Sequence, residues 1–221
     1  RPLDLACREE AARHGADALR FALAWMSTPA AQGRPIKMST RAIEDGRHFA
    51  NKVWNAARFA LMNLEGFDHD RFDDALEESR SSGTLGLPER WILSRLQVAI
   101  AEVGVALEEF RVQAVAQAIQ RFVWHELCDW YLEIAKPALY GGTGDGVADV
   151  RRRLLAQGTM LTSVETSMRL LHPLMPFLTE ELWQRLPKPS SLSGSIVSAL
   201  YPTADETLRD AAAEADVDLI Q

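Results

Sequence analysis

The chain has 221 residues, 47% of them hydrophobic, and a formal net charge of −7. That length and apolar content support one or two domains with a real core, and the acidic balance argues against a protein that coats nucleic acid indiscriminately. No apolar run approaches the roughly 18 residues of a membrane span and no basic, apolar leader appears. Cys7 and Cys128 stand apart, without a CxxC or a histidine at zinc spacing, so free buried thiols in a reducing, cytoplasmic setting are expected.

In chain order, Leu3 to His14 reads as a short helix that Gly15 ends, and GADALRFALAWM continues as a second, with Leu19, Leu23 and Met26 at helical spacing. Pro29, Gly33 and Pro35 punctuate a loop before Ser39, a plausible N-cap for a long helix that Gly66 closes. Phe67 to Ser79 is acidic and weakly periodic, and Ser81 to Leu87 reads as a Ser/Gly linker. Pro88 then opens a helix whose buried face is Trp91, Ile92, Leu96, Ala99, Ile100, Val103 and Leu107. Arg111 to Lys136 predicts another, with Val115, Ala118, Ile119, Phe122, Leu127, Trp130, Tyr131 and Ile134 as its core and Pro137 at its end. After a glycine-rich turn at Gly141–Gly146, Val150 to Leu171 is helical and weakened at Gly158. Thr179 is placed as the cap of a short helix through Leu186, Ser195–Leu200 as a strand, and Ala204–Ala215 as a last amphipathic helix. Long helices on short loops give a mainly α fold, an antiparallel helical bundle, with a small α+β element at the C-terminal end.

Ser39 to Leu64 carries the functional signal. At about 100° per residue, Ile43, Ala50, Val53, Trp54, Ala57, Leu61 and Leu64 gather as a core stripe, while Arg41, His48, Lys52, Asn55 and Phe59 fall on the opposite face with Asn51 and Arg58 beside them. Residues 34–58 hold six Lys and Arg against Glu44 and Asp45, a local +4 that leaves −11 for the rest of the chain. Cations, amides and an aromatic ring together suit phosphates, base edges and base stacking. The competing reading is a solvated face with Phe59 tucked under a neighbouring helix.

Other motifs carry less. Lys37-Met38-Ser39-Thr40-Arg41 resembles the KMSKS signature in three of five positions, but no nucleotide-binding βαβ unit precedes it. Gly141–Gly146 lacks the GK[ST] ending of a phosphate loop, and His125-Glu126-Leu127-Cys128-Asp129 has an aspartate where HExxH has its second histidine. Asp129 and Glu133 read as structural salt-bridge partners, and His172 as a helix-end histidine.

Six segments appear in a telling order: GADALRF (Gly15–Phe21), GRPIKMS (Gly33–Ser39), FANKVWNAARF (Phe49–Phe59), RWILSRL (Arg90–Leu96), CDWYLEIAKP (Cys128–Pro137) and HPLMPFLTEELWQRL (His172–Leu186). Together they resemble the C-terminal half of valyl-tRNA synthetases, class I aminoacyl-tRNA synthetases. The resemblance implies that residues 1–35 follow an absent catalytic domain, that 36–187 form the anticodon-binding bundle, and that 188–221 begin a further element. It implies no catalytic residue and no cofactor in this fragment, with ATP and magnesium bound elsewhere in the full ligase. The implied partner is the anticodon stem-loop of valine tRNA, with no DNA, no membrane and a monomeric state. Carried onto matching positions, Arg41, Lys52, Asn55, Arg58 and Phe59 face the anticodon, with residues near Gln120 and Arg121 completing the site. The alternatives are an enzyme using KMST or HELCD, and a structural or protein-interaction bundle without RNA contact.

Overall fold

The computed structural model describes residues 3–27, 39–140, 146–188 and 194–220. Its helices are α1 (Leu3–His14), α2 (Ala16–Met26), α3 (Thr40–Met62), α4 (His69–Ser81), α5 (Leu87–Glu108), α6 (Val112–Gln120), α7 (Leu132–Tyr140), α8 (Val147–Leu171), α9 (Pro176–Trp183) and α10 (Ala211–Asp218). A π-helical segment, Arg121–Tyr131, joins α6 to α7 without a break. The architecture is the antiparallel helical bundle that the periodicities imply. Its principal packing pairs are α2 on α3, α5 on α6, and α8 against α5 and α7.

α8 is the centre. From Leu155 to Leu171 nearly every side chain is buried, polar ones included. A helix enclosed on all sides must satisfy its polar groups internally. Ser163 donates to the Thr159 carbonyl at 2.8 Å and Ser167 to the Ser163 carbonyl at 2.7 Å, while Arg169 pairs with Glu165. The helix runs unbroken through Gly158. This glycine opens the place where the buried Phe72 ring of α4 lies, since a Cβ at Gly158 would stand 2.1 Å from Phe72 Cδ2. Gly46 has the same use between α2 and α3, where a Cβ would meet the Ala18 carbonyl oxygen at 2.7 Å.

Several boundaries differ from expectation. The acidic 69–81 stretch is a helix, capped by Asp68 accepting from Arg71 N–H, and its few apolar positions suffice because Phe72 is buried against Leu85, Leu93 and Leu155 with Ala75 and Leu76 packed beside it. Pro137 does not end its helix, which runs to Tyr140. Its missing N–H would have served the Glu133 carbonyl, and both residues lie on the exposed side. Thr179 sits inside α9 rather than capping it, its hydroxyl donating back to the Met175 carbonyl at 2.8 Å. The last helix starts at Ala211, capped by Asp210, not at Ala204.

The expected strand at Ser195–Leu200 is the clearest correction, because no strand occurs among the described residues. Ile196–Ser198 form a 3-10 turn. The Ser195 hydroxyl accepts from Val197 N–H and the Ser195 carbonyl from Ser198 N–H, so local bonds take the groups a ladder would need. The C-terminal element is therefore helical. α10 lies on α5, burying Ala213 and Val217 in the main core, and Arg95 ties it down by pairing with both Glu214 and Glu126.

The two kinds of helical glycine predict opposite responses to the same substitution. Gly158→Ala is expected to lower stability by about 1–3 kcal/mol through overpacking against Phe72, outweighing the helix-propensity gain of up to about 1 kcal/mol. Gly104→Ala, within α5 and with open space at its Cβ, should collect that gain alone. Urea midpoints of the two variants measure this, and a stabilised Gly158→Ala would contradict the packing.

Candidate nucleic-acid interface

Ser39 caps α3 as its residue type predicts, its hydroxyl accepting from Ala42 N–H at 3.3 Å. Lys37 and Met38 of the KMST motif lie outside the described residues, as do Arg34 and Gly141–Asp145. The buried face of α3 is Ile43, Gly46, Phe49, Val53, Ala56, Ala57 and Ala60. It is rotated from the expected stripe towards Phe49 and Ala60, which leaves Ala50, Trp54 and Leu61 half-buried. The rotation brings one edge of the basic face close to the core, and this sorts the expected site residues.

Arg41, Asn55 and Arg58 are exposed and form no ion pair or hydrogen bond through their side chains among the described residues. Lys52 and Phe59 are half-buried. Phe59 packs on the core with one side and meets the Tyr140 ring edge-on, with centroids 6.4 Å apart. Arg41, Lys52, Asn55 and Phe59 share a face, whereas Arg58 stands roughly a quarter-turn or less to its side. The Lys52 ammonium is already engaged. It lies 2.7 Å from Asp129 Oδ1 and 5.3 Å from the centre of the Trp124 ring. His125 Nδ1 approaches the other Asp129 oxygen at 3.5 Å. The Lys52–Asp129 pair is about a third exposed on either side. Such pairs contribute at most about 1 kcal/mol, so an incoming anion can displace the carboxylate.

The π-helical segment decides what faces α3. Its i→i+5 bonds advance each residue by less than an α-helix does. Burial accordingly comes in pairs, Phe122 and Val123, Leu127 and Cys128, then Tyr131 and Leu132. An α-helical wheel would have sent some of these outwards and buried Ile134, which is exposed here. The change of phase turns Trp124, His125 and Asp129 towards Lys52. Cys128 sits behind them, a free thiol that burial pushes up to about 12 and so keeps unreactive.

A recess of about 350 Å³ lies beside the N-terminal half of α3. Phe21, Trp25, Phe49 and Trp124 line it, and Arg41, His48 and Gln120 stand among its polar groups. Its aromatic walls pack on one another, with Phe21 4.8 Å from Phe49 and Phe49 6.4 Å from Trp124, nearly parallel at 17°. Of the pair expected from the Arg111–Lys136 helix, Gln120 joins this recess. Arg121 does not, being turned to Glu102 and Glu126. Trp25, His48 and Trp124 were not among the expected site residues. His48 was visible on the α3 wheel, but no periodicity announces that Trp25 and Trp124 converge from two other elements. Asp129 pairs with Lys52 and Glu133 with Lys136, so both are the structural partners expected. His172 closes α8, its Nδ1 2.7 Å from the Thr179 hydroxyl.

Buried bonds hold the far end of the face. Asn63, the C-cap of α3, donates from its side-chain amide to the Phe59 carbonyl at 2.8 Å. Its own carbonyl accepts from the Gln157 amide of α8 at 2.6 Å, and Gln157 also reaches the Glu65 carbonyl at 3.4 Å.

Comparison with known proteins follows the same outline. A family model described as the anticodon-binding domain of tRNA ligase matches residues 89–221. The valine–tRNA ligase of Syntrophotalea carbinolica is 47% identical over 199 residues, which is 89% of this chain and 20% of that protein. That of Geobacter sulfurreducens is 44% identical over 207 residues, covering 93% of this chain and 22% of that protein. The chain thus spans about a fifth of the length of the curated relatives it matches. Among solved structures, the LeuRS–tRNA–LeuAMS ternary complex of Agrobacterium radiobacter K84 matches in fold, with a TM-score of 0.61, 21% identity, and coverage of 92% of this chain and 22% of that one.

Gln157→Met keeps the volume but removes the donor from two carbonyls at the end of α3. Stability is expected to fall by about 1–3 kcal/mol, the cost of leaving the buried Asn63 carbonyl unmet, read as a lowered urea midpoint. An unchanged midpoint would mean that these carbonyls are met some other way.

Proposed function

The chain belongs to the anticodon-binding domains of tRNA ligases, and on that premise we propose that it is the part of a valine–tRNA ligase that holds the anticodon end of valine tRNA. The observation that carries this reading is the face of α3: unpaired Arg41, Asn55 and Arg58 beside a half-buried Phe59, on a locally basic stretch of an acidic chain. What supports valine in particular is the similarity to two valine–tRNA ligases above 40% identity.

The roles follow from the chemistry of each group. Phe59, fixed on its core side, offers an open side to an unstacked base. Asn55 has a donor and an acceptor for a base edge. Arg41 and Arg58 hold phosphates or stack by their guanidinium planes. Lys52 exchanges Asp129 for a phosphate. The aromatic recess beside Arg41 takes a base splayed from the loop, with Gln120 at hand for its edge. Arginines beside aromatic rings also serve protein interfaces, and the match to anticodon-binding domains is what favours RNA as the partner of this face.

In this reading attachment of valine, with ATP and magnesium, takes place elsewhere in the ligase. Among the described residues no cluster of three His, Cys, Asp or Glu side chains is placed to hold a metal. No described helix is long and apolar enough to cross a membrane. A monomer working in the cytoplasm is part of the proposal.

Binding of valine tRNA, set against tRNAs with altered anticodons across a salt series, tests the assignment. Weak binding that falls as salt rises is expected. Phe59→Ala should reduce anticodon discrimination more than Arg58→Ala, which should weaken all tRNAs alike and lower the salt slope by about one. A uniform loss for Phe59→Ala across every tRNA would remove it from base recognition. Asp129→Asn frees Lys52. It should tighten binding of every tRNA and steepen the salt slope by about one, and unchanged binding would show that Lys52 takes no part.

A further inference from the structure

Among the described residues, Phe110, Tyr140, Phe177 and Tyr201 are the exposed Phe and Tyr side chains. Tyr201 spends its hydroxyl on the Leu170 carbonyl. Phe110 stands at the tight turn after α5, with φ of 55°, and Phe177 begins α9. Neither makes a ring contact with α3. Tyr140 does. It is the last residue of α7, is 60% exposed, and sets its ring against Phe59. Its hydroxyl makes no hydrogen bond among the described residues, so no polar anchor accounts for a tyrosine here.

The angle between the rings limits what they can hold. Their planes stand at 81° with centroids 6.4 Å apart. A base sandwiched by two rings needs parallel faces, and these faces are almost perpendicular. A base stacked on Phe59 would therefore meet Tyr140 at its edge, leaving the Tyr140 face open to another base. The two faces belong to side chains on different elements, Phe59 on α3 and Tyr140 at the end of α7, so each can take a base of its own. Every nucleobase has a face to stack, and each such contact carries much of the affinity of single-stranded binding.

We propose that Tyr140 is a second stacking platform, and that Phe59 and Tyr140 hold two neighbouring unpaired bases whose planes are turned nearly at right angles. The proposal rests on the anticodon-binding reading and deepens it. It extends the RNA-contacting surface from α3 onto the end of α7 and requires a sharp turn of the RNA strand between the two bases. The tyrosine hydroxyl, free and exposed, lies at the rim and is not required for stacking.

The test uses the whole 221-residue chain and an anticodon stem-loop of valine tRNA carrying 2-aminopurine at one loop position at a time. Stacking on a ring quenches the probe. Two adjacent positions are expected to be quenched on binding, with Phe59→Ala restoring fluorescence at one and Tyr140→Ala at its neighbour. Tyr140→Ala should also weaken the stem-loop about tenfold with no change in salt slope, and Tyr140→Phe should bind like the unaltered chain. The inference falls if Tyr140→Ala leaves affinity within twofold. It falls equally if Tyr140→Ala and Phe59→Ala act on the same position, since Tyr140 would then only prop the Phe59 ring. If the unaltered chain binds no stem-loop, the anticodon reading itself fails and takes this inference with it. A chain that binds, but whose Tyr140→Ala variant is unaffected, loses only the second platform.

Discussion

The bond from the Gln157 amide to the Asn63 carbonyl joins the centre of the bundle to the end of α3, the helix of the candidate site. Gln157 belongs to a helix buried on every side, and Asn63 is the cap where α3 stops. Asn63 in turn holds the Phe59 carbonyl. Three residues thus connect core to ring, and each link is a polar group that burial forces to find a partner. The length of α3 and the height at which Phe59 emerges are set by that requirement. Leu and Ile packing could fill the same volume, but it would not specify at which residue the helix ends.

The opposite edge of the face is set by charge. Lys52 sits between Asp129 and the Trp124 ring, so the free domain presents a neutralised pair there beside the unpaired Arg41 and Arg58. The chain remains acidic as a whole. A polyanion is therefore attracted to one strip and repelled around it, which favours orientation over general adhesion. The partly exposed Lys52–Asp129 pair adds little to stability, and so can be exchanged for a phosphate at small cost.

α2 and α10 are both tied to the rest of the bundle by polar contacts distant in sequence. Asp17, in the first turn of α2, accepts from the Phe177 and Leu178 N–H groups that open α9, and Arg20 donates to the Pro173 and Leu174 carbonyls just before it. The HPLMPF turn is thereby held by residues some 150 positions earlier. At the far end Ser94, Arg90 and Arg95 of α5 bind the capping turn and first residues of α10. These contacts keep α2, one wall of the aromatic recess, in register with the bundle.

Local sequence rules determined a good deal by themselves. They yielded the mainly helical class, the limits of α1, α2 and α5 to within a residue or two, the Ser39 cap, and a basic, amide-bearing, aromatic face on α3, because capping and periodicity are decided within a few residues along the chain. The tertiary structure decided the rest. Which edge of α3 is buried depends on the close approach of the Ala18 backbone of α2 at Gly46, which a helical wheel cannot weigh. The change of phase at Arg121–Tyr131 exists because Phe122, Leu127 and Tyr131 all reach one core, and an unbroken 3.6-residue period would have missed it. Ser195–Leu200 reads as a strand candidate in sequence, but a strand requires a partner, and here local turn bonds took its backbone groups instead. Trp25 and Trp124 come to the N-terminal half of α3 and Tyr140 to Phe59, from three separate elements, and that placement is a property of packing that no single stretch of sequence contains.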